Sequence, residues 1–199
     1  MASLKRWFGR LGLIAVALFP AAGSAFAADE QQAWAALTGG GHIALIRHGN
    51  APPGYGGDPP GFRIDDCKTQ RNLDDKGRAQ GKALGEAFRS HGVRVDRVLS
   101  SPVCRCMDTA SLMAVGNVES SYALVPDRDP NRPRFRELKD IVSSWRGPGT
   151  LVLVSHGFTI EPLVGVSPEQ AEVLVLKPTP GSGNGASIVG RIPPPKNLR

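Results

Sequence analysis

Three short stretches of this chain carry residue types that bind and transfer charged groups: Arg47-His48-Gly49, Arg105, and His156-Gly157. Guanidinium forks grip a phosphoryl group bidentately. An imidazole can attack phosphorus when one ring nitrogen faces it and a carbonyl holds the proton of the other. Two arginines and two histidines at one place would make a strongly cationic pocket, and its natural guest is a phosphoryl group. Gly49 and Gly157 each follow a histidine, where they would let the chain turn sharply and bring backbone N–H groups near an anion.

The elements that must position these residues are legible around them. In "HIALIRHGN" an apolar run predicts a strand over 42–47 that ends in Arg47 and His48, and "TLVLVSHGF" repeats the pattern before His156. A further strand over 93–100 runs directly into "SSPVCRCMDTASLMAVG". Ser101 is a good N-cap and Pro102 suits a first helical position, so a helix to Gly116 is expected, with Arg105 in its first turn. Ligands of open α/β sheets bind beyond the carboxyl ends of the strands, which is where all three pieces fall.

Helices are expected over 29–37, over 74–90 with Asp74 as cap, and over 134–145; strands are expected over 173–176 and 186–191. Strands alternating with helices predict an α/β domain with a mainly parallel central sheet. Gly77, Gly81 and Gly85 share one helical face, which predicts close approach of a sheet or helix there. Residues 49–71 form a long loop rich in Pro, Gly and Asp, and loops of that length are usually functional. Within it Arg71 has two readings, reaching the pocket mouth or solvating the loop.

At its start the chain places Lys5, Arg6 and Arg10 before the apolar run Leu11 to Phe19 and the small-residue site Ala25-Phe26-Ala27. That is the pattern of a secretory signal peptide over 1–27, with a retained N-terminal anchor as the alternative, and it predicts a periplasmic or secreted protein. No later run is long enough for an integral span. Cleavage would remove three basic and no acidic residues from a formal charge of +6. The mild remainder, without a basic run, argues against a nucleic-acid partner. Export permits disulfides among Cys67, Cys104 and Cys106. Cys104 and Cys106 would diverge on a helix, so a bridge from Cys67 to one of them is expected, and the spacing does not suit zinc. His42 and His91 read as structural, and Trp34 and Trp145 as packing residues.

The segments "LIRHGN", "NLDDKGRAQGKALGEAF", "LSSPVCRCMDTA" and "LVSHGFTIEPLVG", in that order, resemble the histidine phosphatase superfamily, also called phosphoglycerate mutase-like, over roughly 42–176. The resemblance implies an α/β three-layer sandwich, with one phosphatase domain over 28–192 and a Pro-rich basic tail over 193–199. It makes His48 the nucleophile that becomes a phosphohistidine, and Arg47, Arg105 and His156 the rest of the phosphate pocket, with Asn50 as a further hydrogen-bond donor. No metal or organic cofactor is implied. The substrate would be a small phosphorylated compound, such as a phosphosugar or glycolipid. The leader and the D-D-C, Q-R-N-L and C-R-C segments are similar to the exported, single-domain branch of the lipopolysaccharide-core heptose phosphatase type.

The acid that protonates the leaving alcohol departs from the family pattern. Candidates are Asp108, Asp127, Asp129, Glu137 and Glu161. Asp108 is better explained by the positive end of its helix, and Glu137, opening a helix after a Pro-rich loop, is preferred. A missing acid would favour phosphoanhydrides or another phosphohistidine as substrate. Two rival functions are a phosphoryl-returning mutase and a non-catalytic anion-binding module of the same fold. Ser155 lacks the G-x-S-x-G elbow of a serine hydrolase.

Overall fold

The computed structural model describes residues 23–52, 57–126, 129, 131–196 and 198, with side chains from residue 29 onward. Most of the expected leader, and Asp127, lie outside the described residues. The apolar run at 43–46 forms β1 (Ile43–Arg47), and its side chains divide between two layers. Ala44 and Ile46 pack with Trp34, Leu84, Phe88, Ala110 and Met113, while Ile43 and Leu45 pack with Leu124, Phe135, Leu138, Ile160 and Leu163. A strand buried on both faces reads as a continuous apolar run for this reason.

The sheet has six strands in the order β3-β2-β4-β1-β5-β6. β2 is Val95–Ser100, β3 Val118–Ser120, β4 Thr150–Ser155, β5 Val173–Pro178 and β6 Ala186–Ile192. β1, β2, β3 and β4 run parallel, and β5 is antiparallel to both β1 and β6. The helices α1 (Gly23–Gly39), α2 (Asp75–Ser90) and α3 (Cys104–Met113) contribute to one core, and α4 (Pro133–Ser144) and α5 (Gly157–Val164) to the other. The expected three-layer α/β architecture is therefore present. No helix among the described residues is long and apolar enough to cross a membrane.

α2 starts as its sequence dictates: the Asp74 carboxylate accepts from Gly77 N at 2.8 Å. Its glycine face is where the chain packs tightest. A Cβ on Gly85 would overlap the Met113 carbonyl, one on Gly81 would sit 2.9 Å from Leu112 Cβ, and one on Gly77 would overlap the Asn50 carbonyl. The partners are α3 and the turn after β1.

Three local expectations are corrected. α3 begins at Cys104 with Val103 as cap, two residues later than the Ser-Pro signal suggests, because the Ser101 hydroxyl has a partner in the site described below. Neither Gly49 nor Gly157 has a positive φ. Gly49 is required instead by contact, since a Cβ there would lie 2.7 Å from Gly77 O. α5 was not anticipated: it has eight residues, no capping side chain, and Pro162 inside it.

Candidate active site

β4 lies between β1 and β2, so the three strand ends that carry the candidate residues are neighbours. Arg47 pairs in register with Ser155, and Ser100 with Val154, which brings His48, His156 and the start of α3 to one level. They line a cavity of about 430 Å³ with Arg71, Asp58, Gly57, Pro126, Phe158 and Ser167. Both α3 and α5 begin at this edge, where helix N-termini favour anions.

Arg105 organises the site. Its side chain is 4% exposed, and its fork donates in three directions: Nε to His48 Nε2 at 3.2 Å, Nη2 to His156 Nδ1 at 3.2 Å, and Nη1 to Asp58 Oδ1 at 2.7 Å. These bonds set both tautomers. His48 donates its Nδ1 proton to Gly49 O at 2.8 Å, leaving the Nε2 lone pair toward the arginine. His156, accepting at Nδ1, donates from Nε2 to Ser101 Oγ at 3.0 Å. Burial, with Arg105 beside it, holds the His48 imidazole down to about 3, and the same causes keep His156 well below the usual histidine range. Both rings are therefore neutral near pH 7, and His48 Nε2 carries its lone pair without prior deprotonation.

The remaining cations are crowded. Burial first, then Arg105, lowers both Arg47 and Arg71 from the ordinary guanidinium value. Arg47 Nη1 donates to Pro168 O at 2.8 Å, and Arg71 Nη1 donates to Ala51 O. The Nε of each is buried without a hydrogen-bond partner among the described residues. Two orphaned donors and three guanidiniums around one carboxylate describe a site built for an incoming anion.

The loop expected to be functional forms a wall of the cavity and is fastened to α3. Cys67 is bonded to Cys104, the residue before Arg105, and Cys104 N donates to Gln70 Oε1 at 2.8 Å. This is one of the two pairings expected, and Cys106 is the remaining thiol, buried against His156 Nε2 at 3.3 Å. Burial pushes that thiol up to about 12, so it stays protonated.

Arg47, His48, Arg105 and His156 thus come together, and Arg71 joins them at the cavity wall. Asn50 does not, because its amide donates to the Asp74 carboxylate at 2.6 Å and so braces the helix cap. Glu137 and Glu161 are exposed on α4 and α5 and do not line the cavity; a helix that packs its apolar stripe inward turns such residues outward. Asp108 is ion-paired with Arg78 at 3.6 Å, and Asp129 with Arg132 at 3.8 Å. The Ser155 hydroxyl donates to Leu124 O at 2.7 Å, which removes it as a nucleophile. His42 bonds Gly40 O through Nδ1, and His91 stacks on Trp34 at 4.0 Å between ring centroids. Asp58 and Ser101 are the site residues that sequence reasoning missed. Asp58 is one of several loop acids with no motif around it, and Ser101 reads as a helix cap.

The family model of the histidine phosphatase superfamily (branch 1) matches residues 43–123. The mitochondrial serine/threonine-protein phosphatase Pgam5 of Drosophila virilis is 32% identical over 72 residues, which are 36% of this chain and 22% of that protein. The Pgam5 of Drosophila grimshawi is 28% identical over 114 residues, covering 34% of its length. The chain therefore spans about a third or less of the length of these curated relatives. Among solved structures, the protein histidine phosphatase SixA complexed with tungstate superposes with a TM-score of 0.56 at 16% identity, over 77% of this chain and 97% of that one. A phosphoserine phosphatase variant of Entamoeba histolytica in complex with phosphoserine gives 0.51 at 14% identity, over 75% and 95% of the two chains. The fold is shared with phosphatases of the phosphoglycerate mutase-like class. Within residues 43–123, which carry Arg47, His48 and Arg105, the chain is similar to the histidine phosphatase superfamily.

Proposed function

We propose that this protein is a phosphatase that hydrolyses small phosphomonoesters through a phosphohistidine on His48. The observation that carries the reading is the Arg105 fork, which spans the ring nitrogens of two neutral, buried histidines at the mouth of a cation-lined cavity. Arg47, Arg71 and Arg105 would hold the non-bridging oxygens of the phosphoryl group, and the unpartnered Nε groups of Arg47 and Arg71 supply donors for them. The His48 Nε2 lone pair forms the N–P bond as the ester P–O bond breaks. Nδ1 keeps its proton on Gly49 O, so the ring becomes a phosphoimidazolium and a good leaving group. Water then attacks phosphorus, and the electron pair returns to Nε2.

His156, held by Ser101 from behind, accepts from Arg105 through Nδ1 and so fixes the guanidinium that meets the charge developing on the oxygens. Phe158 and Pro126 add an apolar wall on which a leaving group can rest. A cavity of this size suits a small molecule. The basic and apolar start of the chain, together with a disulfide, supports an exported, oxidising location. Among phosphorylated compounds met outside the cytoplasm, phosphosugars and glycolipids have the right chemistry.

The test is hydrolysis of p-nitrophenyl phosphate at mildly acidic pH by the purified chain. Orthovanadate should inhibit and EDTA should not. Rapid mixing followed by digestion without acid should place phosphate on His48. Loss of activity on chelation, or turnover surviving in His48→Ala, would overturn the proposal.

A further inference from the structure

We infer that Asp58 is the proton-transferring carboxylate of this site, a role that rests on the phosphatase reading above. Among the described residues it is the one carboxylate lining the cavity. Its side chain is 17% exposed, and Oδ1 accepts from Arg105 Nη1 at 2.7 Å and from Arg71 N at 3.0 Å. The loop that carries it is not free to drift. The Cys67–Cys104 bond pins it beside Arg105, and Gln70 Nε2 donates to Arg63 O at 2.9 Å and to Ile64 O at 3.0 Å. A proton donor has to stand near the scissile bond, and this wall delivers a carboxylate there.

Charge decides how an ion-paired carboxylate can supply a proton. The groups facing Asp58 are the guanidiniums of Arg47, Arg71 and Arg105 and the neutral rings of His48 and His156; Glu169 lies beyond, at the neighbouring opening between Arg47 and Arg71. A phosphoryl group that takes the Arg105 fork removes the counter-ion from Asp58 and puts a second anion beside it. Two anions at one guanidinium share a proton. A substrate entering as its monoanion therefore brings the proton, which passes to Asp58 as the phosphoryl group settles as a dianion.

The cycle balances. His48 Nε2 forms its bond to phosphorus, the P–O bond breaks, and the Asp58 proton goes to the departing alkoxide. The resulting carboxylate next accepts a proton from the attacking water as the O–P bond forms and the P–N bond breaks. Asp58 returns that proton to the product, which leaves as dihydrogen phosphate, so that neutral His48 and an Asp58 carboxylate paired again with Arg105 await the next monoanion.

The experiment compares Asp58→Asn with the parent chain on an alkyl phosphate and on p-nitrophenyl phosphate. Asn keeps an oxygen for Arg105 and Arg71 N but carries no transferable proton. Expected for Asp58→Asn is a fall of kcat/KM for the alkyl ester by about 10²–10⁴-fold, the usual size of a general-acid effect. For the p-nitrophenyl ester, whose phenolate leaves without a proton, the fall should stay within about tenfold on the same ground. A burst of p-nitrophenolate equal to the enzyme should appear, because the phosphohistidine has lost its base. The decline of parent kcat/KM with rising pH above about 6, where the phosphoryl group loses its second proton, should flatten for the variant.

Equal losses on both esters, or unchanged rates on both, would overturn the assignment. Failure of the phosphatase reading itself would look different, since the parent chain would then hydrolyse neither ester or His48→Ala would still turn over.

Discussion

Replacing Arg105 by lysine keeps the positive charge and removes the fork, which separates electrostatics from geometry. In the structure the guanidinium serves three acceptors that diverge from one another: His48 Nε2, His156 Nδ1 and Asp58 Oδ1. A single ammonium on a flexible stem can face Asp58 or the histidines, but it cannot span all three. One or two bonds from a charged donor are lost, and each contributes about 1.5–3 kcal/mol when buried. Only part of that loss reaches the transition state. One missing donor to a developing oxyanion typically lowers kcat by about 10²–10³-fold, or about 3–4 kcal/mol. Arg105→Lys should therefore show kcat/KM on p-nitrophenyl phosphate at least ~10²-fold below the parent.

Vanadate binding should weaken in parallel, as a mimic of the five-coordinate phosphoryl group needs the same donors. Steady-state kinetics and a vanadate titration on one preparation measure both, with circular dichroism checking that the chain is folded. Activity within fivefold of the parent would show that charge alone suffices, and the role given to the fork would be refuted.

Buried neutral histidines make the fold acid-sensitive. His48 has its folded value lowered from 6.5 to about 3, so its contribution is complete above pH 6.5 and drains away as pH falls toward 3. The slope for that one group is on the order of 1 kcal/mol per pH unit, and urea unfolding between pH 7 and 4 should be visibly flatter in His48→Gln. Gly85→Ala should destabilise the chain by about 1–3 kcal/mol despite the better helix propensity of alanine, because the new methyl would meet the Met113 backbone, which cannot give way. An unchanged urea midpoint would show that α2 and α3 can separate there without cost. The Cys67–Cys104 bond closes a loop of 37 residues in sequence separation. Chain entropy puts its contribution at about 4 kcal/mol, so the Cys67→Ser, Cys104→Ser double variant should unfold at clearly lower urea. The same variant should lose activity, since the loop carrying Asp58 comes loose with it.

Much of this site could be read in the chain because its residues sit directly at the ends of regular elements. A strand apolar on both faces has one direction in which to deliver Arg47 and His48, and β4 repeats the arrangement for His156. The Asp74 cap and the glycine face of α2 are equally local signals, one a side-chain hydrogen bond to the adjoining helix start and the other a gap left where a neighbour must approach. The Cys67 pairing was narrowed to two partners by helical geometry, and the folded loop selected Cys104.

What sequence reasoning could not reach was set by contacts between residues far apart in the chain. Asn50 stands next to the motif yet is spent on Asp74, while Asp58, from an irregular loop, meets Arg105 across 47 positions. Ser101 looks like a helix cap and instead holds His156 across 55 positions. Glu137 has the right chemistry but lies on the solvent side of α4. Periodicity and capping report the forces a residue feels from its own element. Which carboxylate reaches the phosphoryl group depends on how a loop without periodicity is folded and tethered, and only the tertiary structure decides that.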